Sequence, residues 1–105
     1  MGILQVASYL YKRYMDDFGV RIDEMKLHKL LYFTQRECLI QKGEPMFDAQ
    51  FEAWKYGPVM VQIRQHYKND SLPELMDKEQ VVQYEPVFDM VFKTYAPQKS
   101  WSLST

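Results

Sequence analysis

Between Asp23 and Gly43 the chain encodes a helix that is apolar around most of its circumference, and no other feature limits the possible folds as tightly. Leu27, Leu30, Leu31, Thr34 and Cys38 form one stripe, while Met25, Tyr32, Phe33, Leu39 and Ile40 take up much of the opposite side. A helix of that kind has to be enclosed by other elements. Its ends are legible too. Asp23 can cap free backbone N–H groups and, with Glu24, complements the positive helix end, and Gly43 provides a stop. The expected fold is therefore mainly α with a minor short β segment: a compact helical domain around one central buried helix.

Size and composition agree with that expectation. A chain of 105 residues makes a single domain, 1–105, and hides roughly two-thirds of its unfolded surface. Hydrophobic content of 47% with 26% charged residues is that of a globular protein, and no apolar run approaches the roughly 20 residues of a spanning helix. No membrane partner is expected. Thirteen basic against fourteen acidic residues give a net charge of −1, which supplies no general field for nucleic acid. The N-terminus lacks the pattern of an export signal, and one cysteine cannot form an internal disulfide, so a cytoplasmic location is expected.

Other segments read as short elements. Ile3 to Phe18 carries Ile3, Ala7, Leu10 and Tyr14 at helical spacing, with Gln5, Lys12 and Asp16 opposite, and Gly19 ends that helix. Gly43-Glu44-Pro45 is a turn, and Phe51 to Tyr56 has the aromatic content of a short strand. Pro58 suits the first position of a helix that uses Val59, Met60, Ile63 and Tyr67 as its apolar face and runs to about Lys68. Asn69, Asp70, Ser71 and Pro73 mark a loop; Asp77 with Gln80 caps a short helix, and Pro86 separates it from another over Val87 to Tyr95. Pro97 follows as a breaker. Ser100 looks like the cap of a further helix at Trp101, which the end of the chain at Thr105 cuts short.

Chemistry-bearing residues are sparse. Cys38 sits on the apolar stripe, where burial raises a thiol pKa, so inert packing is the expected role. His28 and His66 could act with a carboxylate such as Glu24 or Glu37, but the spacing does not converge them, and a helix-surface or core-edge imidazole is expected for each. One cysteine and two distant histidines lack the spacing of a zinc site, and the four glycines are scattered singly, so no metal, nucleotide or other cofactor is expected. Lys26, Lys29 and Arg36 recur along one side of the central helix; they suit an acidic partner protein, against the plainer reading of a solvated edge. Trp54, Lys55, Tyr56, Gly57 and Pro58 form an aromatic, conformationally constrained segment, in which Lys55 and Tyr56 are the candidates for exposed contact. The expected catalytic set is empty.

KLHKLLYFTQ, GEPMFD and FEAWKYGPV in that order, followed by WSLS, resemble the Panacea-domain family, also described as SocA-like or GepA-like phage-associated proteins. The resemblance implies a small helical bacterial or prophage protein that acts as an antitoxin, binding the toxin encoded beside it without catalysing a reaction. It also implies an alternative, a proteolytic adaptor that hands its toxin to a AAA+ protease. On the reading of the residues given above, the partner-binding set is Trp54, Lys55, Tyr56, Gly57, Pro58 and Arg36. Members continue past the tryptophan motif with further helix, so a chain ending at Thr105 implies self-association, as a homo-oligomer, or completion by a partner.

Overall fold

The computed structural model describes residues 2–48, 52–54, 57–72 and 76–99, and for 52–54 and 57–59 it describes the backbone. The elements run α1 (Ile3–Phe18), α2 (Glu24–Lys42), β1 (Glu52–Trp54), β2 (Gly57–Val59), α3 (Val61–Lys68) and α4 (Lys78–Thr94). The fold is mainly α.

Helix α2 is the element on which the others rest. The Asp23 carboxylate accepts the Lys26 N–H at 2.8 Å, and Gly43 takes a left-handed conformation (φ 75°) that lets its N–H reach the Leu39 carbonyl. Leu27, Leu30, Leu31, Thr34 and Cys38 are all fully buried, and α1, α3, α4 and β2 each pack against the helix. Enclosure is not uniform. Leu39 and Ile40, expected inside, stay exposed in the last turns, where Cys38 is still fully buried but their own side of the helix is left open to solvent.

Helix α1 buries Ile3, Val6, Ala7 and Leu10 and closes at Gly19, whose φ of 72° again permits the terminal N–H bond, here to Met15. Helix α4 runs antiparallel to α2: the Lys26 ammonium near the start of α2 donates to the carbonyls of Ala96 and Gln98, while Gln41 near its end donates to the Pro86 carbonyl. Arg13 clamps α1 onto α4 by bonding Asp89 at 2.9 Å and lying over the Phe92 ring at 4.4 Å. Arg21, bonded to the Tyr67 carbonyl and the Tyr11 hydroxyl, ties the α1–α2 connection to α3.

Two boundaries differ from the sequence expectation. Asp77 and Gln80 do form a capping box, but the helix they open continues through Pro86 to Thr94 as one element. A proline removes one N–H and crowds the preceding turn. At an exposed position that loss is tolerable, since the freed carbonyl of Val82 lies on a face open to water, with Val82 itself 67% exposed. Pro58, expected to start a helix, lies in β2, opposite Ala53 of β1, and α3 begins three residues later at Val61. Both strands of a two-stranded ribbon are edges, where a missing donor costs little.

Candidate functional site

The segment that carries the predicted partner-binding residues is slung between two polar side chains of α2. Gln35 holds one end: its carbonyl oxygen accepts the N–H groups of Met46 (2.8 Å) and Phe47 (3.2 Å), and its amide nitrogen donates to the Phe47 carbonyl. His28 holds the other. Its Nδ1 accepts the buried Met60 N–H at 3.3 Å. The two residues are seven apart in a helix, so they share a face and stand about 10 Å apart along the axis. Between the anchored backbones of Met46–Phe47 and Met60 lies the antiparallel pair β1–β2, with Trp54 opposite Gly57 and Ala53 opposite Pro58.

An acceptor at Nδ1 places the His28 proton on Nε2, which donates to the Glu24 carboxylate at 3.2 Å. Arg64 of α3 approaches the same carboxylate oxygen at 3.8 Å. Burial is the larger influence and pushes the His28 pKa below its ordinary value, against the opposing pull of Glu24. The imidazole is therefore neutral and committed to positioning. Its pairing with Glu24 corrects the expectation that the spacing does not converge it with a carboxylate, and the i, i+4 relation was the available signal.

The predicted partner-binding residues divide as follows. Trp54, Gly57 and Pro58 come together in the hairpin backbone. Lys55 and Tyr56, which connect its strands, lie outside the described residues. Arg36 is exposed on α2 and makes no hydrogen bond or ion pair among the described residues. Lys26 and Lys29 do not form a solvated basic edge with it, for both are buried. Lys26 instead fixes the turn after α4, with its charge facing carbonyls at a helix end. Ser100 and the WSLS motif at 101–104 also lie outside the described residues.

Groups with chemical potential are otherwise engaged in structure. Cys38 is fully buried, and burial pushes its thiol pKa up, away from the nucleophilic thiolate. His66 contacts the Ser71 carbonyl and hydroxyl, across the turn that follows α3. No cluster of three potential metal ligands occurs among the described residues, and none of their helices is long and apolar enough to cross a membrane. Gln35 and Lys26 are the positioning residues that periodicity alone overlooks. Polar side chains inside an apolar helix were the signal, because a polar group taken out of water is costly without a partner.

Comparison with known proteins adds a family. Residues 27–102 match the model described as "Antitoxin SocA-like, Panacea domain", a span that takes in α2, the hairpin, α3 and α4. Antitoxin SocA of Caulobacter vibrioides (strain NA1000 / CB15N) is 48% identical over 40 residues, which cover 38% of this chain and 21% of that protein. No solved structure matches the chain. The chain belongs to the SocA-like Panacea-domain family of antitoxins.

Proposed function

We propose that this protein is a cytoplasmic binding module that neutralises a cognate bacterial toxin by direct contact and catalyses no reaction itself. Family membership over residues 27–102 carries the reading. The chemistry of the polar groups supports it: His28, Gln35 and Lys26 each spend their hydrogen bonds within the protein itself, and Cys38 is sequestered. Two of these side chains, His28 and Gln35, hold the segment that contains the hairpin, which suits a fold built to present a surface. In this reading the toxin meets Trp54, Lys55, Tyr56, Gly57 and Pro58 on the hairpin, with Arg36 on the adjoining helix.

The test is co-expression with the product of the neighbouring gene. Growth rescue together with co-purification of a stable complex is the expected result; neither rescue nor complex would overturn the reading. Within that experiment, the toxin's half-life separates masking, which leaves turnover unchanged, from delivery to a AAA+ protease, which shortens it.

A further inference from the structure

The second half of α2 carries a groove that the fold leaves open. Tyr32, Gln35, Arg36, Leu39 and Ile40 line a volume of about 520 Å³. About three turns before Ile40 the same side of the helix is closed, with Lys29 only 4% exposed, whereas Ile40 is 67% exposed. The change is abrupt. Its rim is preorganised, because Gln35 is locked onto the backbone of Met46 and Phe47 and cannot swing in to fill the space.

Charge and geometry define what fits. The Arg36 guanidinium has no partner among the described residues, and the stripe it belongs to reads Met25, Lys29, Tyr32, Arg36, Leu39, Ile40, with no carboxylate. An Arg on an apolar rim gains most from a carboxylate brought by the ligand, since the paired guanidinium then sits beside apolar surface and accepts bidentate geometry. A helix face offers no free backbone donors or acceptors, which excludes strand addition and leaves side-chain anchoring as the mode of contact. A second copy of this chain fits poorly: a two-fold contact centred on the stripe would set Arg36 against its own symmetry mate.

We propose that this groove docks an amphipathic segment of the toxin, a helix that places apolar side chains against Leu39 and Ile40 and an Asp or Glu against Arg36. The proposal rests on the antitoxin reading and extends its contact from Arg36 along α2 to Leu39 and Ile40. Its test measures the affinity of the purified chain for the neighbour-encoded toxin, comparing the wild type with Arg36→Glu, Ile40→Glu and the control Val82→Glu. Val82 has the same 67% exposure as Ile40 but lies on α4, so it controls for a new surface charge. Circular dichroism checks that each variant folds.

The expected result is at least tenfold weaker binding (about 1.4 kcal/mol) for the two groove variants, with Val82→Glu within about twofold of wild type. A photo-crosslinker at position 40 should then capture a toxin peptide that contains both apolar residues and a carboxylate. Tight wild-type binding that Arg36→Glu and Ile40→Glu leave unchanged would overturn the groove while sparing the antitoxin reading; absence of wild-type binding would overturn both. Equal loss in all three variants, or a crosslink to a second copy of this chain, would also overturn the groove.

Discussion

Replacing His28 with phenylalanine isolates the work of one hydrogen-bonding side chain with little change in volume. In the folded protein the ring is 2% exposed, its Nδ1 accepts the Met60 N–H, and its Nε2–H meets Glu24. Phenylalanine leaves the Met60 N–H buried with no acceptor, which costs about 1–3 kcal/mol. Glu24 loses a donor but keeps solvent and Arg64, so its loss adds about 0.5–1 kcal/mol. The expected destabilisation at pH 7.5 is therefore about 1.5–4 kcal/mol, read by urea unfolding with an unchanged m-value.

The same substitution should remove a pH dependence whose sign follows from burial. His28 in the folded state holds its proton less readily than the ordinary value of 6.5, chiefly through desolvation, with Glu24 acting against it and Arg64 with it. As pH falls through about 6.5 the unfolded chain takes up a proton first, so stability declines, by at most about 1.4 kcal/mol per unit, until the lower folded-state value is passed. Above that window the contribution is complete. The quantity to compare is the difference between wild type and His28→Phe from pH 7.5 to 5.5, since His66 and the carboxylates are common to both. The difference should shrink as the medium is acidified. A destabilisation below about 0.5 kcal/mol, or parallel pH curves, would refute the role of His28 as the anchor of the hairpin.

Two further predictions address the other anchor and the continuous helix. Gln35→Ala removes the acceptor for Met46 and Phe47, so stability should fall by about 2–3 kcal/mol, and the Phe47 amide should lose protection in hydrogen exchange. Unchanged protection there would rule out the clamp. Pro86→Ala should stabilise the protein by about 1–3 kcal/mol, because alanine restores a donor for the Val82 carbonyl in an unbroken helix. A neutral or destabilising outcome would mean that the proline is needed where it stands, as it would be at a helix boundary.

The helical frame was readable because its signals are local. Apolar spacing from Ile3 to Leu10, the Asp23 cap and the glycines at 19 and 43 each act within a few residues, and the structure realises all of them. Prolines were harder, since their meaning depends on surroundings that the local sequence does not carry: Pro86 survives inside a helix because its turn faces water, and Pro58 sits in a strand because a two-stranded ribbon has only edges. Apolar periodicity also cannot say how far along a helix its neighbours extend. Phe33 and Ile40 lie on the same side of α2 one heptad apart, yet one is 2% exposed and the other 67%.

That difference bears on how such a helix divides its roles. Polar residues at 28 and 35 are spaced to serve one face, and they fasten the backbone that follows, which fixes the hairpin without using any of the exposed apolar surface. The side that turns past Arg36 to Ile40 takes no part in that fastening, and a charged group with no partner among the described residues stands at its centre. Arg36 is exposed, so water solvates its charge and the domain itself needs no partner for it. Beside the exposed Leu39 and Ile40, that arginine stands where a carboxylate brought by a bound protein would gain both a charge partner and apolar contact, as the proposed groove requires.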